Sequence, residues 1–218
     1  MKIHRGNFES NKYFLEKINL LKKSSKILEL GSGTGFFTNY LKTLGYDVTG
    51  TEINDEYIKF AKKEFGIELK KMQGDSLDLP SEYFDFVISF DVFEHIPDTN
   101  KHLNEVNRVL KPGGSYLFGT PNKITNIPFE ILKEKSFTKW REYHCSLHTY
   151  LGMKKVLTKN GFEFKFISVP VVNEAFLNKL RKYTGFIGIF LVKIFNPDKF
   201  PMWLKTNFYL IAKKIQQK

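Results

Sequence analysis

The sequence predicts an α/β fold: a seven-stranded, mostly parallel sheet with helices on both faces and a helical insertion ahead of the last strand. Three observations carry this. Short apolar runs alternate with amphipathic stretches along most of the 218 residues, and strand–helix–strand alternation demands crossovers and a parallel sheet covered on both sides. The first apolar run, Ile27-Leu28-Glu29-Leu30, empties into Gly31-Ser32-Gly33-Thr34-Gly35, a turn whose bare backbone lets a ligand approach closely ahead of a helix N-terminus. A chain of this length forms one such domain with room for an appendage.

Each element has its own signal. Phe8 to Lys22 places Phe14, Ile18 and Leu21 on one face and reads as a helix within an N-terminal segment, 1–25. A core follows over 26–169. In it Phe36 to Thr43 is the helix after the glycine turn, stopped at Gly45, and Asp47 to Glu52 is a second strand. Asn54 caps a helix from Asp55 to Phe65, with Ile58, Ala61 and Phe65 toward the sheet. Glu68 to Gln73 reads as the third strand and Tyr83 to Asp91 as the fourth. Leu103 to Leu110 is a helix stopped by Lys111-Pro112-Gly113-Gly114, which leads into a fifth strand, Ser115 to Thr120. Tyr150 to Asn160 is the next helix, ended by Gly161, with a sixth strand over Phe162 to Val169. Phe208 to Lys213 is the last strand, in a closing segment, 207–218.

The glycine turn narrows its ligand. Its spacing is not Gly-x-Gly-x-x-Gly, and it lacks the Lys-Ser/Thr of a phosphate-binding loop. Glu52 ends the second strand about 20 residues on, where an ionised acceptor suits the two hydroxyls of a ribose. A solvated charge at a strand end is the equal alternative for Glu52 alone.

In order and spacing, ILELGSGTG, GTEIN, GDSLDLP, FDFVISFDVFEHIPD and LNEVNRVLKPGG resemble the successive motifs of class I S-adenosylmethionine-dependent methyltransferases, over roughly Lys26 to Asn122. The resemblance implies a Rossmann-like sheet, S-adenosyl-L-methionine as cofactor and S-adenosyl-L-homocysteine as product. It implies that Gly31, Ser32, Gly33, Thr34 and Gly35 let the methionine portion lie against backbone, and that Glu29 orients the methionine ammonium. Glu52 would hold the ribose, Ile53 cover an adenine face, Asp75 accept from the adenine amino group with Ser76 beside it, and Phe90 line the reaction centre. The likeness is to quinone-pathway O-methyltransferases and to enzymes that decorate sugars and glycolipids.

Methyl transfer to a hydroxyl needs alignment and somewhere to put a proton. His95 follows the fourth strand, where parallel sheets open their ligand crevice, and its ordinary pKa of about 6.5 suits a general base. A loop-closing structural histidine is the alternative. His144 and His148 lie in a region that in similar enzymes borders the acceptor, so they are candidate substrate-binding residues; with Cys145 they also suggest a metal, though a third fixed ligand is not identifiable, and structural loop residues are the plainer reading. No acidic trio for magnesium follows Phe90, and the reading is metal-independent. Nor does Asp/Asn-Pro-Pro-Tyr/Phe, the mark of amino-group methylation in nucleic acids, follow the fourth strand, which argues for oxygen or carbon as acceptor.

Composition bounds the partners. A single cysteine, Cys145, excludes a disulfide framework and a four-cysteine zinc site. The polar start, MKIHRGNFES, and the absence of an apolar run of about 18 residues point to a cytoplasmic protein. The insertion over 170–206 sets Phe176, Leu180, Tyr183, Ile187, Phe190, Leu191 and Ile194 at helical spacing, with Gly185 and Gly188 to break or bend the helix. Nine of the 34 basic residues but two of the 23 acids lie in Glu174 to Lys218, so this fifth of the chain carries +7 of the net +11. Lysines beside apolar bulk suit a small-molecule or lipid-linked acceptor or an anionic membrane surface; nucleic acid fits the charge but not the leucine–phenylalanine seam. A lid helix with solvated lysines is the plainer account. The alternatives to a small-molecule enzyme are an RNA or protein methyltransferase that docks through this basic region, and a non-catalytic cofactor-binding module.

Overall fold

The computed structural model describes residues 7–215; the first six residues of the 1–25 segment and the last three of 207–218 lie outside the described residues. Seven strands form one sheet: β1 (Lys26–Leu30), β2 (Asp47–Glu52), β3 (Lys70–Lys71), β4 (Phe84–Phe90), β5 (Leu110–Pro121), β6 (Phe162–Ile167) and β7 (Asn207–Lys214), in the order β3-β2-β1-β4-β5-β7-β6. The first five run parallel, and β7 is antiparallel to both β5 and β6. Leu30 pairs with Thr51 on one side and Ser89 on the other, so β1, β2 and β4 end together. Strand order reverses between β1 and β4, and an open parallel sheet leaves its ligand crevice at that reversal.

Alternate residues of each central strand face opposite layers. Leu28, Val87 and Phe118 pack with Leu103, Val106 and Leu157 from helices α4 (Thr99–Val109) and α6 (Tyr150–Lys159). Ile27, Ile88 and Leu117 pack the other way, against Phe14, Phe37 and Leu41 of α1 (Phe8–Ile18) and α2 (Phe36–Thr43). The helices start where the sequence supplies caps: Asn54 accepts from the Glu56 and Tyr57 amides at α3 (Asp55–Phe65), and Asp98 from the Asn100 and Lys101 amides at α4.

The structure corrects several boundaries. Helix α1 stops at Ile18, because Asn19 takes a left-handed φ of 48° and caps it, although Leu21 still packs on the core. Strand β3 is two residues rather than the six from Glu68 to Gln73; it is an edge, and the chain turns away at Gln73, which bridges back to Ser76. The Lys111–Gly114 turn is absorbed into a 12-residue β5. Helix α5 (Lys123–Glu134) was not legible, because Pro128 sits inside it. Helix α7 (Glu174–Ile194) does form in the insertion and breaks at Gly185, whose φ of 62° and ψ of −147° are not helical.

Candidate active site

A cavity of about 570 Å³ lies at the carboxyl ends of β1, β2 and β4. Of the residues expected there, Glu29, Gly31, Ser32, Gly33, Glu52, Ile53, Asp75, Phe90 and His95 line it. Thr34, Gly35 and Ser76 do not. The three glycines have three different jobs. At Gly31 (φ 67°) an added Cβ would lie 2.5 Å from Val92 Cγ2, so a bare backbone lets the β4–α4 loop close on the turn. At Gly33 (φ 53°) an added Cβ would meet nothing within 4 Å, because the space above it is the cavity itself. At Gly35 (φ 78°) it would lie 2.7 Å from Ala61 Cβ and 2.9 Å from Ile67 Cδ1. Gly35 therefore seats α2 against α3 and serves packing, not a ligand. Thr34 is buried, and Ser76 is exposed, its amide donating to the Gln73 carbonyl at 3.1 Å to close the turn that presents Asp75.

Both acids expected at the cradle are buried. Glu52 accepts three backbone N–H groups, from Gly33 (2.8 Å, on Oε2), Ile53 (2.9 Å) and Asn54 (3.0 Å), the last two on Oε1. A carboxylate has room for about four such bonds, so a ribose hydroxyl finds acceptor capacity left chiefly on Oε2. Glu29 Oε2 accepts from the Thr38 hydroxyl, and burial pushes the carboxyl up to about 7 despite that bond. Ionised Glu29 would be stabilised by a cationic ammonium in the cavity. Open space over Gly33 between two buried carboxylates fits a ligand with an ammonium at one end and vicinal hydroxyls farther along. Ile53, 60% exposed at the rim, offers an apolar surface for a flat base.

The turn carrying Asp75 is anchored by residues that sequence reasoning missed. His102 Nδ1 lies 2.6 Å from the Gly74 carbonyl, which can only accept, so Nδ1 bears the hydrogen. Bare Nε2 then accepts from the Tyr116 hydroxyl at 3.0 Å, and the Ser89 hydroxyl donates to Tyr116 at 2.5 Å. Burial pulls His102 down to about 4, and the network holds it neutral. Its folded pKa lies below its unfolded one, so its contribution to stability is complete above about pH 6.5 and is lost as the pH falls toward 4. His102→Leu is expected to destabilise the protein by about 2 kcal/mol at pH 7 and to weaken S-adenosylhomocysteine binding roughly tenfold. Urea unfolding at pH 7 and pH 5 checks this, because the gap between variant and parent must narrow at the lower pH.

Past β4 the chain turns through Asp91, a non-glycine residue at φ 56° whose Oδ2 accepts from Asn7 Nδ2 at 2.9 Å. Left-handed backbone at such a residue is costly and concentrates at functional sites. Glu94 is buried, its Oε2 accepting from the Thr120 hydroxyl at 2.9 Å; burial and then the nearby Asp91 push it up to about 8, so it is protonated at neutral pH. His95 donates from Nδ1 to the Tyr143 carbonyl, which leaves the lone pair on Nε2, 3.9 Å from Glu94 Oε1. That is the tautomer a base requires.

His144 and His148 do not line this cavity. The His144 ring lies 5.1 Å from that of His95, with Nδ1 buried and unpartnered, and burial pulls its pKa down. His148 packs edge-on against Phe93 at 5.6 Å, in the connection between α5 and α6. Cys145 Sγ is 3.6 Å from the Glu94 carbonyl and does not join the two histidines. Among the described residues the fold gathers Glu94, His95 and His144, whose ligating atoms fall within 4.8 Å of one another. Sequence reasoning missed Glu94 because its role depends on burial.

Residues 28–118 match the family described as "Methyltransferase domain". Among curated proteins, the chain is 33% identical over 102 residues to a ubiquinone biosynthesis O-methyltransferase from Paramagnetospirillum magneticum, covering 44% of this chain and 41% of that protein. It is 30% identical over 103 residues to a probable S-adenosylmethionine-dependent methyltransferase from Mycolicibacterium smegmatis, covering 47% and 40%. The chain thus spans under half the length of these relatives. Among solved structures, a SAM-dependent methyltransferase from Methanosarcina mazei superposes with a TM-score of 0.66 at 21% identity, over 93% of this chain and 98% of that one. A Haemonchus contortus phosphoethanolamine N-methyltransferase, solved with S-adenosylhomocysteine, gives 0.68 at 19% identity, over 96% and 53%. At these identities the structures speak for the fold. Sequence motifs, strand order and the matched family agree: this chain carries a class I S-adenosylmethionine-dependent methyltransferase domain.

Proposed function

We propose that the chain methylates a hydroxyl oxygen of a small or lipid-linked acceptor, with His95 as general base. The observation that carries this reading is His95 itself: it lines the cavity, and its Nδ1 is held by the Tyr143 carbonyl, so the neutral ring keeps its lone pair on Nε2. When bound, S-adenosylmethionine supplies an electrophilic methyl group on a cationic sulfonium. The protein's part is placement. Gly31 to Gly33 give the close main-chain approach, Glu29 receives the ammonium, Glu52 the ribose, Ile53 and Asp75 the adenine. Phe90, whose ring packs 5.3 Å from Phe37, presents an apolar wall to the reacting carbon. His95 Nε2 takes the hydroxyl proton.

The broken helix of the insertion supports a membrane-facing role. Beyond Gly185, Phe186 is 85%, Ile187 73% and Phe190 62% exposed, with Lys193 on the same short stretch. Among the described residues no helix is long and apolar enough to cross a membrane. An apolar face flanked by lysines suits shallow docking on anionic lipid.

Incubating the chain with methyl-labelled S-adenosylmethionine and cell extract tests the acceptor class. The expected result is base-stable label in the organic-soluble fraction. Label precipitating with RNA or protein would replace this reading with docking of a macromolecule, and no label anywhere would favour a silent binding module. In flotation with phosphatidylglycerol vesicles, Phe186→Ser/Phe190→Ser is expected to lose most of the parent's membrane-bound fraction; equal flotation would remove the membrane role.

A further inference from the structure

A second cavity, of about 500 Å³, adjoins the first. Asp91 lines both, so the strained residue after β4 is the partition between them. Most of its other wall residues come from two helices outside the first cavity, and Asn7, Val171, Thr206 and Asn207 supply the rest. Helix α5 gives Thr125, Asn126 and Phe129, and the first half of α7 gives Phe176, Lys179 and Leu180. The broken helix therefore has two halves with different surroundings: one walls a cavity, the other shows its apolar side to solvent.

The chemistry of those walls is specific. Phe129, Phe176 and Leu180 form an apolar surface large enough for a ring or a short chain. Among the described residues Lys179 is the only cation in the wall and makes no ion pair, and its Nζ lies 5.0 Å from the centre of the Phe129 ring. Asn126 Oδ1 is buried with no hydrogen-bond partner, an acceptor left for a hydroxyl or amide donor. A neutral hydrocarbon would leave both groups unanswered. An anionic group on an apolar body answers Lys179, and a hydroxyl on the same ligand answers Asn126 Oδ1.

We propose that this second cavity binds the methyl acceptor, and that the acceptor is an amphiphilic acid whose carboxylate or phosphate pairs with Lys179 while its apolar body lies against Phe129 and Leu180. Its role as acceptor rests on the methyl-transfer reading; its preference for an anionic amphiphile does not. The volume holds the head and the first part of a chain, and a longer chain would leave past α7 toward the exposed half of that helix.

The test uses the full chain saturated with S-adenosylhomocysteine, so that probes cannot enter the first cavity. 8-Anilinonaphthalene-1-sulfonate joins an apolar ring system to an anion; N-phenyl-1-naphthylamine has the same rings without charge. Lys179→Met is expected to weaken binding of the sulfonate five- to tenfold and leave the neutral probe within twofold, with Lys179→Arg close to the parent. Leu180→Trp, which fills the cavity, should weaken both probes and so locates them. Octanoate and octyl phosphate should displace the sulfonate while octanol does so poorly, and the stronger of the two acids names the headgroup. Unchanged sulfonate binding in Lys179→Met, equal loss of both probes in that variant, or displacement by octanol as readily as by the acids would overturn the proposal. Calorimetry of S-adenosylhomocysteine on the same protein reads the other cavity separately. Absent heat with the probe pattern intact would defeat the methyl-transfer reading and leave the acid-binding cavity standing.

Discussion

Gly33→Leu is expected to abolish S-adenosylhomocysteine binding, raising Kd by about 100-fold or more, while Gly35→Leu strongly destabilises the fold without addressing the ligand directly. The two glycines are two residues apart and both take positive φ, yet they face different neighbours. Above Gly33 there is only cavity, so a leucine costs the folded chain roughly 1–2 kcal/mol of left-handed strain and a few degrees in Tm. Its side chain then occupies the ligand's own volume. Above Gly35 stand Ala61 Cβ at 2.7 Å and Ile67 Cδ1 at 2.9 Å, and a leucine there must part α2 from α3. Overpacking and strain together are expected to cost about 4 kcal/mol. Calorimetry and thermal unfolding on both variants separate the outcomes. Equal loss of stability in the two would show that the space over Gly33 is not a binding site.

The second large effect belongs to His95. His95→Ala is expected to lower kcat by about 10²- to 10⁴-fold and to change cofactor affinity less than threefold, because the side chain meets the cavity at its edge and is half exposed. His95→Gln should fall as far: an amide can still meet the Tyr143 carbonyl but cannot take a proton at neutral pH. The nearness of Glu94 and His144 makes a further control necessary, since the same three residues could ligate a cation. With His95 as base, chelation by EDTA leaves turnover unchanged. Activity lost to EDTA and restored by a divalent metal would recast His95 as a ligand.

The cavity lining at the ends of β1, β2 and β4 was legible because it is local. A buried strand, a glycine turn and an acid at the next strand's end are set by spacing alone, and Glu29, Gly33, Glu52 and Phe90 all line the cavity where the motif puts them. What failed was whatever depends on the far side of a residue. The sequence reads Gly33 and Gly35 alike; only packing reveals that one faces a cavity and the other Ala61. His102 looks like an unremarkable helix residue until Gly74 and Tyr116 close on it from distant segments. His144 and His148 share a short loop, yet one turns to His95 and the other to Phe93. Helix α5 was hidden by Pro128, and with it the wall that turns the insertion from an isolated amphipathic segment into one side of a second cavity.

The central claim is that Glu52 and the bare backbone at Gly33 together grip an adenosine. A crystal structure of the full chain with S-adenosylhomocysteine tests it most directly. The account predicts ribose hydroxyl density on Glu52 and the adenine lying over Ile53. A nucleoside bound elsewhere, with the carboxylate still closed off by the Gly33, Ile53 and Asn54 amides, would contradict it.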